Sequence, residues 1–278
     1  MRVETIFEQL FFTTVYLTAQ GPDYEWVGTG FLYRAQLGES AAVVFLVTNR
    51  HVISDAHSLK LRFVAAGEDG PTLGRAVELI VEPLSSTAWI GHPDISVDVA
   101  VMPLNGLLTL LEGAGQQPFF RTVDVDLLAT RESDSDLDAI ENVTFVGYPD
   151  GLFDEANYLP IARLGTTATP PVVDYQGSPS FLIDAPVFQG SSGSPVFIAD
   201  RGSYAQRGGG LVVGDRLILL GILALSELRY VSAEVTHPDG NHGNIGFADV
   251  AHLGIVFKSV CIRECIDEWL RSVGLPPE

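Results

Sequence analysis

Short runs of apolar and β-branched residues, broken by Gly, Pro, Asp or Ser, recur along this chain between residues 11 and 249. Residues 11–19 (FFTTVYLTA), 26–34 (WVGTGFLYR) and 42–48 (AVVFLVT) mix aromatic with β-branched side chains as strands do. Runs at 59–64, 76–82 and 97–103 continue the pattern. Between 105 and 140 it weakens: a short helical run gives way to an acidic, Ser-rich stretch without sustained period, which reads as a connection between two lobes. Strand-like runs resume at 142–147, 159–164, 181–187, 195–199, 211–225 (broken at Gly-Asp) and 244–249. Segment 255–272 changes to helical spacing, with Val260, Cys261, Ile262, Cys265, Ile266, Trp269 and Leu270 on roughly one face. The pattern predicts a β lobe over 1–115, a connection over 116–140, a second β lobe over 141–258, and a C-terminal helix and tail over 259–278.

Composition supports an all-β class, since 46% hydrophobic against 18% charged residues, with 28 Gly and 16 Pro, suits short strands joined by turns. The formal net charge of −19 repels phosphate backbones and anionic lipid, so nucleic acid and membrane are not expected partners, whereas a polypeptide is compatible. The two cysteines, Cys261 and Cys265, project in parallel from one helical segment, a poor geometry for a disulfide, and read as reduced thiols. The N-terminal segment carries Glu and Gln where a secretory signal would be basic and apolar, and no run approaches ~20 uncharged residues. The expectation is a cytoplasmic protein.

Three segments suggest chemistry. Gly190-Ser191-Ser192-Gly193-Ser194-Pro195 has glycines on both sides of a Ser, as a nucleophile needs when backbone N–H groups must converge on an oxyanion; by itself it is equally a Gly/Ser turn between strands. His51 ends an apolar strand in Val47-Thr48-Asn49-Arg50-His51-Val52, a setting in which a lone His is more often structural. Asp98 lies among apolar residues in Val97-Asp98-Val99-Ala100-Val101, and a carboxylate buried there requires a donor such as an imidazole N–H. Asp98 follows His51 by 47 residues and Ser192 follows Asp98 by 94.

In order and spacing these residues resemble the chymotrypsin-fold serine peptidases. The nearest resemblance is to the disulfide-free bacterial branch, including high-temperature-requirement proteases and glutamyl endopeptidases, in which Thr-Asn-x-His-Val, Asp-x-Ala and Gly-x-Ser-Gly-Ser/Gly-Pro surround the three residues. Gly28-Thr29-Gly30-Phe31, Val146-Gly147-Tyr148-Pro149, Asp184-Ala185 and Ile245-Gly246-Phe247-Ala248 also fit, so the resemblance runs from about residue 25 to 248. It implies two antiparallel six-stranded β-barrels with the site between them, and a serine endopeptidase. Ser192 would be its nucleophile, His51 the general base and Asp98 the residue orienting that base. Asp94, in a loop-like run, is the rival acid. The N–H groups of Gly190 and Ser192 would form the oxyanion hole, and Pro186, Ala224, Leu225 and Ser226 the substrate pocket.

Some positions depart from the family. Ser191 stands where zymogen-activated members carry an Asp, so activation by a freed N-terminus is not expected, and the site is either always competent or ordered by a protein partner. Leu223 occupies the place of the substrate-reading His of glutamyl endopeptidases, and Pro186 that of the pocket Asp of trypsin-type enzymes. An apolar or small pocket remains. Ala224 replaces a Ser that often supports the triad Asp. His57, His92, His237, His242 and His252 show no tight metal-ligand spacing, with His237 and His242 reading as a polar loop, and neither metal nor cofactor is expected. Two other functions stay open: a catalytically weak module that binds or scaffolds a protein, and an esterase using the same residues.

Overall fold

The computed structural model describes residues 1–38, 41–124, 137–236 and 242–276, of which 225–236 and 242–251 are described by backbone alone. His237 and most of the acidic stretch expected to connect the lobes lie outside the described residues.

Alternating burial drives the first lobe. Strands β1 (Thr14–Gln20), β2 (Glu25–Leu37), β3 (Ala41–Thr48), β4 (Ser58–Gly67), β5 (Gly70–Val81), β6 (Ile90–Gly91) and β7 (Ala100–Pro103) form one sheet in the order β5-β4-β1-β2-β3-β7-β6. A short helix α1 (Ile6–Leu10) precedes them, closed by a capping box in which Thr5 and Glu8 satisfy each other's backbone donors. Beyond β7, helix α3 (Asn105–Gly113) occupies the expected short helical run. The chain then returns to the same sheet through β8 (Pro118–Phe119) on β4 and β9 (Val123–Asp124) on β2. The first lobe is thus a nine-stranded sheet rather than a ring of six.

The second lobe is the six-stranded barrel expected. Strands β10 (Asn142–Gly147), β11 (Ile161–Thr167), β12 (Ser180–Asp184), β13 (Pro195–Asp200), β16 (Arg216–Thr236) and β17 (His242–Lys258) close in the order β10-β11-β12-β17-β16-β13, with β14 (Ser203–Ala205) and β15 (Leu211–Val213) as a separate hairpin. Strands β16 and β17 outrun the apolar runs that announced them, pairing from Gly221 with Lys258 to Thr236 with His242.

The C-terminal helix, α4 (Ser259–Ser272), lies against both lobes. Cys261, Ile262, Cys265, Ile266 and Leu270 are buried in one cluster with Phe45, Val99 and Val101 of the first lobe and Phe197 and Leu219 of the second. Trp269 packs edge-on to Phe45 at 5.0 Å. Val260 departs from the expected stripe: it lies on the side of the helix opposite the apolar seam and is exposed.

Candidate active site

The pairing of Thr48 with Ala100 puts residues just past the end of β3 opposite those just before β7. His51 and Asp98 fall in these two extensions. The chain turns at Asn49 into a one-turn helix, α2 (Arg50–Ile53), so His51 sits one residue inside this helix rather than on the strand. Asp98 likewise lies two residues ahead of β7, outside the ladder. Its carbonyl receives the Asn49 side-chain amide at 2.6 Å in place of a strand partner, which leaves its carboxylate free to turn toward α2. Asp98 Oδ1 accepts the His51 backbone N–H at 3.0 Å, and Oδ2 lies 2.5 Å from His51 Nδ1. Two contacts from one carboxylate fix both the position and the ring orientation of the imidazole. Asp94 is not a competitor here: its carboxylate folds back on the Ser96 hydroxyl and N–H, which hold it below the usual carboxylate range.

Ser192 lies on the turn between β12 and β13 and is buried. Its carbonyl accepts the Thr29 N–H at 2.9 Å, Gly193 N–H donates to Leu223 O at 2.8 Å, and Leu223 N–H returns to Ser194 O at 2.9 Å, so the turn is stitched to β2 and β16. Gly193 has φ +94° and faces the Thr29 carbonyl so closely that a Cβ would overlap it. Gly190, at φ +79°, packs on the backbone of Tyr148, Asp150 and Gly151. Both positions require glycine. The Ser192 hydroxyl donates a short hydrogen bond to the Ala224 carbonyl.

Asp150 N–H donates to Gln189 O at 2.6 Å. A trans peptide directs its C=O and N–H oppositely, so this bond turns the Gly190 N–H away from residues 148–151. Among the described residues neither Gly190 N–H nor Ser192 N–H has a protein acceptor, leaving two donors on one turn for an outside oxygen.

His51, Ser192 and Gly190 line one open cavity of about 340 Å³ together with Trp26, Val27, Val52, Val187, Phe188 and Gln189. The structure therefore brings His51, Asp98, Ser192 and Gly190 to one place. The expected pocket residues fall differently. Pro186 is exposed and not part of the lining, because the inward-facing residue at this bend is Val187. Ala224 is fully buried and contributes its carbonyl; its methyl gives Asp98 no donor. Leu225 and Ser226 continue β16 beside Ile255 and Gly254, their side chains outside the described residues. Leu223, buried, serves the turn through its backbone.

Thr29 was not singled out by its chemistry. Its hydroxyl accepts the Tyr148 N–H at 3.1 Å and donates to Gly190 O at 2.8 Å. Only the quoted run Gly28-Thr29-Gly30-Phe31 hinted at it. The Ser191 hydroxyl is buried without a partner, at the position where an activating Asp would need one.

A family model described as a trypsin-like peptidase domain matches residues 28–203. No curated protein matches the sequence. Among solved structures, a serine endoprotease from Yersinia pestis shares 16% identity at a TM-score of 0.49, over 98% of this chain and 69% of its own. A thermostable serine protease from an extremophilic microorganism shares 13% at 0.47, over 92% and 95% of the two chains. An inactivated protease paralogue of the scabies mite shares 14% at 0.43, over 94% of each.

Proposed function

Because this chain belongs to the trypsin-like peptidase family, we propose that it is a serine endopeptidase whose nucleophile is Ser192, whose general base is His51 and whose base-orienting acid is Asp98. The observation that carries this reading is the 2.5 Å contact of His51 Nδ1 with Asp98 Oδ2 beside a cavity that His51 and Ser192 share. In the reaction, the Ser192 hydroxyl attacks the scissile carbonyl carbon while His51 Nε2 takes its proton. The tetrahedral oxyanion is held by the Gly190 and Ser192 N–H groups, and collapse expels the amine, which receives its proton from His51. Water then attacks the acyl-enzyme by the same route. Asp98 holds the proton-bearing Nδ1 and stabilises the imidazolium.

The Ser192 hydroxyl must first rotate from the Ala224 carbonyl. Giving up one neutral hydrogen bond costs about 1 kcal/mol, roughly a factor of five in population, which is small beside the gain from the base. The bonds that hold the turn to Thr29, Asp150 and Leu223 support a site competent without a freed N-terminus or an activating partner. The cavity wall of Trp26, Val27, Val52, Val187 and Phe188 supports a protein or peptide substrate with an apolar or small side chain at the cleavage point.

Replacement of Ser192 by Ala tests the assignment. Turnover of a peptide containing aliphatic residues is expected to fall at least ~10⁴-fold with the melting temperature unchanged. Undiminished peptide cleavage in that variant would contradict it, and cleavage of matched esters alone would turn the reading toward an esterase.

A further inference from the structure

His92 follows β6, its N–H bonded to Val99 O at 2.9 Å and its carbonyl held by the Arg50 guanidinium. The ring reaches helix α4, where Nε2 lies 2.6 Å from Glu264 Oε2. Cys261 stands one turn earlier on that helix, so its side chain and that of Glu264 share a face. The Cys261 thiol is wholly buried and donates a long hydrogen bond to Pro179 O at 3.8 Å. One imidazole nitrogen, one thiol sulfur and one carboxylate oxygen thus lie within 4.8 Å of one another. None of the three belongs to the cleft lining.

We propose that His92, Cys261 and Glu264 bind a zinc-class divalent cation that staples α4 to the segment carrying Asp98. The donor set selects the metal class: sulfur and imidazole nitrogen suit a borderline-soft ion such as Zn²⁺, whereas Mg²⁺ and Ca²⁺ prefer all-oxygen shells. Three protein ligands leave a fourth tetrahedral position for water. Metal–ligand distances of about 2.0–2.3 Å set tetrahedral donor separations of roughly 3.3–3.6 Å, so Glu264 Oε2 must back away from Nε2, which it now approaches to 2.6 Å, while the sulfur closes in from within 4.8 Å. Glu264 can supply the movement, since its side chain is half exposed.

Binding exchanges protons in a defined way. The Cys261 thiol loses its proton to solvent and ligates as thiolate. Nε2 must be bare, which places the ring proton on Nδ1, where Asp94 O lies 3.3 Å away as acceptor. In the metal-free chain Nδ1 instead accepts the Asp94 N–H at 3.1 Å and Nε2–H donates to Glu264. Burial holds the free thiol above its usual range, so the proton it gives up is replaced by the cation.

The test is a titration of the chelator-treated full chain with Co²⁺, read by absorbance. The expected result is one equivalent bound, with a sulfur-to-cobalt charge-transfer band and intense visible bands of a tetrahedral site, all displaced by stoichiometric Zn²⁺. Cys261→Ser should abolish the charge-transfer band. Glu264→Gln, a substitution at a half-exposed position that leaves the fold intact, should weaken Co²⁺ binding at least tenfold. Absence of the band, its persistence in Cys261→Ser, or unchanged affinity in Glu264→Gln would overturn the proposal.

Discussion

The Thr29 hydroxyl joins Tyr148 N–H to Gly190 O, tying β2 to the loop after β10 and to the Gly190 turn through one atom. Thr29→Val keeps the shape and removes both bonds, leaving a buried donor and acceptor unpaired at about 1–3 kcal/mol each. Urea melts should show a loss of that order, and under the proposed mechanism, in which the Gly190 N–H holds the oxyanion, kcat should fall more than KM changes; Thr29→Ser should restore both. Equal kinetics in Thr29→Val and the parent would separate Thr29 from the oxyanion turn. The nearness of His51, Asp98 and Ser192 was legible only from the three motifs taken together in order and spacing, since each alone reads equally well as a structural feature. The supports were not: Asn49, Thr29 and Asp150 act through backbone partners that no spacing announces, and Pro186 sat one residue away from the side chain that faces the cleft.

Among elements, helix α4 ties the lobes together. Its buried face meets strands of the first sheet and of the barrel, and Cys265 Sγ approaches Val99 O at 3.7 Å behind the Asp98 segment. Leu270→Ala removes a fully buried side chain from this seam and is expected to cost about 2–5 kcal/mol, measured by thermal or denaturant unfolding of the whole chain. A change under about 0.5 kcal/mol would show that the helix is not part of the core. The helix was legible from its 3.6-residue period, and most strands from short apolar runs. The lengths of β16 and β17 were not, since SELRYVSAEVT alternates loosely and owes its strand form to the partner strand. The contact of His92 with Cys261 and Glu264 was equally invisible, because the chain must fold before residues so far apart in sequence become neighbours.

For the whole molecule, the net charge of −19 sets a field that draws cationic polypeptides and repels anionic ones. With scissile residues held constant, kcat/KM for a Lys-flanked peptide should exceed that for a Glu-flanked one at low salt. The difference should shrink as ionic strength rises past about 0.1 M, where the screening length is about 10 Å. Salt-independent rates for both would mean that the acidic surface does not reach the cleft. The all-β class and two-lobed arrangement were legible from pattern and composition; the open nine-stranded form of the first sheet was not, because β8 and β9 join it as two-residue additions after the chain has left the lobe. No helix among the described residues is long and apolar enough to cross a membrane.

The central claim is that Ser192 carries a hydroxyl activated by His51. Labelling with a fluorophosphonate, followed by mass spectrometry of the adduct, reads this directly. The prediction is a single phosphonylated residue, Ser192, with labelling lost in Ser192→Ala and in His51→Ala. An unlabelled folded chain, or a label that persists in His51→Ala, would contradict it.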